Sequence, residues 1–311
     1  MTTRDHGGGL DAAIAQYGGT RADWLDLSTG INPVAYEWSP PSSDAWRHLP
    51  DQGALKSLTN AARTFWNVPD GAEIIPASGA SALIAQIPGM IPAKSVNIPH
   101  PTYNEHGHAF DTWGWTRSET ADTQVLVNPN NPDGRFWSAS DMRDGLTIID
   151  ESFCDVAPDK SLIDLAARPN VIMLKSFGKF WGLAGLRLGF AICLPELAQC
   201  LRDRIGPWAV SGPALAIGAQ ALDDDDWAAE TRNRLARDVK KLDHILSAAS
   251  LRIVGGTDLF RLTEARCART LQERLARDRI LVRTFPYSTT LVRFGLPGAD
   301  TDWDRIKVAL T

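Results

Sequence analysis

The chain has 311 residues, enough for one large domain or two ordinary ones with a proper core. Hydrophobic residues make up 44% and charged residues 22%, the balance of an ordinary globular protein. With 32 basic against 37 acidic residues, a net charge of −5 and no dense Lys/Arg stripe, a nucleic-acid partner is not expected.

The four cysteines, Cys154, Cys193, Cys200 and Cys267, form no C-x-x-C pair and read as reduced thiols. No basic segment followed by an apolar run opens the sequence, and no apolar stretch is long enough to cross a bilayer. The expected location is the cytoplasm, with no membrane partner.

The first fifty residues are rich in Gly, Pro and Asp and read as an arm with short turns. DQGALKSLTNAARTFWNV (51–68) carries helical spacing at Leu55, Leu58, Ala62 and Phe65. EIIPAS (73–78) reads as a strand, and GASALIAQIPGMI (79–91) as a helix that Pro88 and Gly89 end. SVNIP (95–99), TQVLVN (123–128), LTIIDES (146–152) and NVIMLKSF (170–177) read as further strands, with a short helix at SDMRDGL (140–146). Strands alternating with helices imply an α/β fold, mainly a parallel sheet with helices on both faces. From Ser211 to about Ser250 the pattern is one long or broken helical run, its basic residues at 231–241 on a solvated face. A strand, strand, helix, strand, strand pattern then makes a smaller α+β unit. The expected division is an arm at 1–40, a large α/β domain at 41–210, and an interdomain helix with the small C-terminal domain at 211–311.

In such a sheet functional groups belong at the C-terminal ends of the strands. The first strand end offers Gly79, Ala80 and Ser81 at a helix start, where backbone N–H groups can bind an anion. Tyr103 follows the next strand, Asn130 and Asn131 follow TQVLVN, and Asp150 ends a wholly apolar strand, where a carboxylate requires a partner. SFGKFWGLAGLRLGF (176–190) places Ser176, Lys179 and Arg187 in an otherwise apolar and glycine-rich run. A lysine in an apolar pocket has a lowered pKa and suits a Schiff base with an aldehyde. An arginine suits a phosphate. Singly, each is an ordinary cap, packing residue or ion pair. In sequence, they complement pyridoxal 5′-phosphate.

NPNNPDG, IIDESF and SFGKFWGLAGLRLG resemble the signatures of the fold-type I pyridoxal-phosphate enzymes, the aspartate aminotransferase superfamily. The resemblance covers nearly the whole chain. Within it the sequence is most similar to the branch of histidinol-phosphate aminotransferases and the threonine-phosphate decarboxylases of cobalamin synthesis. HGGGLDAA (6–13), WLDLSTGINP (24–33), RHLPDQGALKSL (47–58), ASGASALIAQIP (77–88) and LVRTFPYSTTLVRFGLPG (281–298) point to the decarboxylases.

The resemblance implies catalytic roles for Lys179 and Asp150. Gly79, Ala80, Ser81, Tyr103, Asn131, Ser176 and Arg187 would bind the cofactor with them. Arg293 would take the substrate carboxylate, with His6 and Asn32 as further substrate contacts. No metal is implied, and a homodimer is. Two positions depart from many relatives, which have tyrosine where this chain has Leu49 and Phe153. The implied reaction is decarboxylation of L-threonine O-3-phosphate to aminopropanol phosphate. Transamination of histidinol phosphate or another amino acid, and cofactor binding with little catalysis, remain open alternatives.

Overall fold

The computed structural model describes residues 6–311. They divide into two compact units, one comprising Ala35–Asn131 and Arg135–Glu230, the other formed by the chain up to Val34, Pro132–Gly134 and Thr231–Thr311.

The larger unit is built on a seven-stranded sheet of β2 (Glu73–Ala77), β3 (Ser95–Asn97), β4 (Thr116–Arg117), β5 (Thr123–Val127), β6 (Thr147–Asp150), β7 (Val171–Ser176) and β8 (Gly189–Cys193), in the order β2-β8-β7-β6-β5-β3-β4. All neighbours are parallel except β8, which runs antiparallel to both β2 and β7. β2 therefore points the same way as β7, and the C-terminal ends of β2, β3, β5, β6 and β7 share one edge. The register sets Asp150 beside Val127 and Leu174, and Ser176 beside Gly189.

The helices of this unit are α2 (Ser43–Arg47), α3 (Gln52–Phe65), α4 (Ala80–Gln86), α5 (Asn104–Thr112), α6 (Pro195–Ile205) and α7 (Gly212–Leu222). Side chains alternate across a strand. Ile148, Ile172 and Leu174 consequently join Leu83, Ile84, Phe110 and Leu201 of α4, α5 and α6 in one buried apolar cluster. The opposite face carries Lys175 and Phe190 against Trp66, which follows α3. SDMRDGL yields only a 3-10 turn at Ala139–Asp141 rather than a short helix, and Gly145 then packs so closely on the backbone of Asp122 and Thr123 that a Cβ there would not fit.

The second unit holds α1 (Leu10–Tyr17), β1 (Leu25–Asp26), β9 (Arg252–Thr257), β10 (Phe260–Glu264), α9 (Ala268–Arg277), β11 (Ile280–Leu281), β12 (Arg283–Thr284), β13 (Leu291–Gly295) and α10 (Asp300–Leu310). Its sheet runs β12-β13-β10-β9, all antiparallel, and β1 pairs in parallel with β11. α8 (Asp225–Ala248) crosses from one unit into the other at Glu230/Thr231.

The N-terminal segment contains a helix, α1, whose Leu10 and Ala13 bury against Trp24 and Ala276. The chain up to Val34 groups with the smaller unit, and residues 211–230 group with the larger one, where α7 packs on α3. The contact is close enough that a Cβ at Gly218 would lie 2.9 Å from Leu58.

Candidate active site

The candidate residues of the large unit lie at or just beyond the C-terminal ends of its strands. Asp150, at the end of β6, is 1% exposed. His106 of α5 places Nε2 2.8 Å from Asp150 Oδ2. Ser152 donates to Oδ1 through its hydroxyl at 2.5 Å and its N–H at 2.9 Å. Burial pulls the Asp150 pKa up, but the hydrogen bonds from His106 and Ser152 outweigh it and hold the carboxyl below its ordinary value. The partner that the strand-end carboxylate demanded is thus His106, which sequence reasoning missed. Its signal is Tyr103-x-x-His106, a spacing that puts both residues on one side of the start of α5. The two rings meet edge to face at 6.0 Å.

α4 begins at Gly79, whose φ of 85° belongs to the left-handed region that glycine tolerates. A Cβ there would also lie 2.4 Å from Arg187 Nη2. Arg187 reaches the same helix start and donates to Ser81 Oγ at 3.2 Å. A Cβ at Gly189 would meet Ala80 N at 2.2 Å, so β8 and the start of α4 touch backbone to backbone. Gly79 supplies no capping side chain to the first N–H groups of α4, and the Arg187 guanidinium lies beside that helix start.

Lys179 follows β7. Its Nζ lies 5.4 Å from the centroid of Phe153, one of the two positions that depart from the resemblance. Lys179 is half-buried and Arg187 exposed, so the apolar run does not bury both cations. The fully buried lysine is Lys175, 2% exposed. Phe177 and Trp181, flanking Lys179, stack at 5.3 Å, and Trp181 stacks on Trp227 at 5.1 Å. This aromatic column, and not Lys179, absorbs the apolar residues of the motif. Ser176, Tyr103 and Asn131 are half-buried at the same strand edge.

Arg293 of β13 lies in the other unit, 6% exposed, and donates to Ser28 O at 2.8 Å. Burial, then the neighbouring Arg283, lowers its pKa to about 10. Arg283 stands directly opposite Arg293 on β12. Residues directly opposite in an antiparallel pair share a face, so the two arginine side chains leave the sheet on the same face. The sequence reading missed Arg283, although R-x-F ten residues before Arg293 is visible in LVRTF. Asn32 of this unit is buried, its Oδ1 accepting from Arg234 at 2.6 Å and from Val34 N at 3.1 Å. His6 is exposed. Among the described residues no His, Cys, Asp and Glu group could hold a metal ion, and no helix is long and apolar enough to cross a membrane.

Residues 117–311 match the family of class I and II aminotransferases, and the chain belongs to that family. It is 39% identical to a threonine-phosphate decarboxylase from Sinorhizobium over 94% of this chain and 92% of that protein. A threonine-phosphate decarboxylase from Pseudomonas aeruginosa is 37% identical, over 98% and 97%. The chain therefore falls in the threonine-phosphate decarboxylase branch of the family. Among solved structures, histidinol-phosphate aminotransferase from Sinorhizobium meliloti in complex with pyridoxal 5′-phosphate has a TM-score of 0.82 at 20% identity, covering 96% of this chain and 93% of that one. L-threonine-O-3-phosphate decarboxylase from Porphyromonas gingivalis has a TM-score of 0.71 at 19% identity, covering 91% and 97%. These two likenesses bear on the fold alone.

Proposed function

We propose that this protein is a pyridoxal-phosphate-dependent decarboxylase of L-threonine O-3-phosphate that releases CO2 and 1-amino-2-propanol phosphate. The observation that carries the reading is the near-full-length identity with two threonine-phosphate decarboxylases. The product suits cobalamin synthesis, and the reading includes a cytoplasmic homodimer.

The residues present fit the cofactor. A buried, ionised carboxylate, an uncapped helix start beside Arg187, and a lysine on the strand edge are the donor set a pyridinium, a phosphate and an aldehyde need. Bound there, pyridoxal phosphate supplies an electron sink for the pair left when a bond at the substrate Cα breaks. Asp150 keeps a proton on the ring nitrogen. Oδ1 accepts twice from Ser152 and Oδ2 once from His106, which leaves a lone pair on Oδ2. Gly79, Ala80 and Ser81 offer N–H groups to the phosphate, with Ser176 and Arg187 beside them. Tyr103 would stack on the ring, and Asn131 would donate to the ring oxygen. Lys179 would hold the cofactor through its amine and deliver a proton to Cα once CO2 has left.

Arg293 pairs with the substrate carboxylate, and Arg283 takes the substrate phosphate. Two adjacent guanidiniums repel one another and match a ligand with two anionic groups. With its carbonyl committed to Arg234, Asn32 contacts substrate through its NH2 group. His6 is a further phosphate contact.

The test is CO2 release from L-threonine O-3-phosphate by the loaded enzyme with no keto acid added. Steady release is expected. Glutamate formation with 2-oxoglutarate, and no CO2, would assign an aminotransferase instead. Arg283→Gln is expected to raise KM for the phosphorylated substrate about tenfold or more, since hydrogen bonds to charged groups contribute roughly 1.5–3 kcal/mol. The KM for unphosphorylated L-threonine, if turnover is measurable, should change far less. Equal changes for both substrates would remove Arg283 from the phosphate site.

A further inference from the structure

On the face of the large sheet opposite His106 lies a buried ion network that the proposed chemistry does not use. Lys175 Nζ donates to Glu151 Oε2 at 2.6 Å and lies 3.9 Å from Asp155 Oδ1. Glu151 also accepts from Ser161 Oγ at 2.6 Å, Leu162 N at 2.6 Å and Asn128 Nδ2 at 3.0 Å. Asp155 accepts from Trp66 Nε1 at 2.9 Å. The side chains of Lys175 and Glu151 are 2% and 0% exposed.

Stability alone gives a poor account of this pair. Desolvating two charges is costly, and an apolar pair of similar volume in such a place is often as stable or more so. The rest of the strand face is apolar, with Met173 and Phe177 both fully buried. What the ion pair provides is a fixed distance. Glu151 follows Asp150 directly, and Lys175 precedes Lys179 by four residues. The two groups expected to carry the chemistry therefore lead away from the two halves of one buried salt bridge. A third strand end is tied in as well. Asn128, on the segment leading to Asn131, is held by Glu151, and its N–H donates to Asp150 O at 2.8 Å.

We propose that Glu151 and Lys175 are positioning residues whose buried ion pair sets, from the reverse face of the sheet, the separation of Asp150 from Lys179 and the height of the Asn131 loop. The inference rests on the cofactor-site reading above. It requires that altering the length of the pair, with both charges kept, disturbs the cofactor without unfolding the chain.

The experiment uses the full chain loaded with pyridoxal phosphate and the charge-conserving variants Glu151→Asp and Lys175→Arg. The neutral double variant Glu151→Gln/Lys175→Met accompanies them, because it removes both charges together and leaves neither one buried alone. Each variant is expected to retain its far-UV circular dichroism. The pH midpoint of the visible band of the bound cofactor should move by about half a unit or more. The kcat should fall about tenfold with KM within about twofold, the range seen when groups behind a site are altered. Any folded variant with the wild-type band, midpoint and kcat overturns the proposal, since a purely structural pair would leave all three in place. If wild-type protein forms no visible band and borohydride attaches nothing to Lys179, the cofactor-site reading fails and this inference fails with it. A normal wild-type band beside unaffected variants overturns the positioning role alone.

Discussion

Lys179→Ala is expected to abolish attachment of the cofactor and to lower kcat/KM by at least about 10³-fold, the upper part of the range for a positioned acid–base group. Two functions are lost in one substitution. They are the proposed attachment of the cofactor and the proposed proton transfer at Cα, and Lys175 cannot substitute, since it is buried on the other face in its pair with Glu151. The variant should fold, because Lys179 is half-buried and its aromatic neighbours Phe177, Phe180 and Trp181 supply the packing. The check is mass spectrometry after borohydride treatment. A cofactor-sized adduct on Lys179 is expected in wild type and none in the variant. An unchanged visible spectrum and rate in Lys179→Ala would remove the lysine from its role.

Asp150→Asn carries the second large effect. Asparagine keeps the size and an oxygen for Ser152, but it loses the charge that holds a proton on the ring nitrogen. A fall in kcat of roughly 10²–10⁴-fold is expected, with Lys179 still trapped by borohydride. The pH dependence has a definite sign. The folded Asp150 pKa lies below the ordinary value, so the carboxylate stabilises the fold above that value. This contribution is lost as pH falls through the lowered pKa. Wild-type activity should therefore hold through the range where an ordinary aspartate, at about 4, begins to protonate, as far as this group is concerned. Activity that falls around pH 6 in wild type and not in Asp150→Asn would contradict the assignment.

These outcomes show what the residues alone disclose. The parallel sheet was legible because its strands are short apolar runs between turn signals. The strand-end acid, the helix-start glycine and the lysine were legible because each violates the local pattern. Gly79 separates an apolar strand from the helix it opens, Asp150 ends an apolar strand, and Lys179 interrupts an aromatic run. Their partners were not legible. His106 is an unexceptional histidine on a short helix until α5 packs against β6. Glu151 and Lys175 are separated by 24 positions and become a pair only through the β6–β7 register. The apolar character of 176–190 suggested burial of its cations, whereas the aromatic column of Phe177, Trp181 and Trp227 accounts for it and leaves Arg187 exposed. Arg283 was hidden for the same reason as Glu151, since antiparallel pairing and not sequence distance brings it opposite Arg293.

The parallel pairing of β1 with β11 has a consequence in time. The smaller unit is made from both ends of the chain, and Arg293 is hydrogen-bonded to Ser28 across 265 positions. At roughly 5–20 residues per second, the ribosome presents the first of these partners on the order of tens of seconds before the second. Residues 35–230 emerge in between and contain every strand of the seven-stranded sheet. A nascent chain can therefore complete the housing for its cofactor while its N-terminal segment still waits for the strands that will hold it. Arg283 and Arg293, proposed to meet the substrate's anions, lie on strands that are made after all of these.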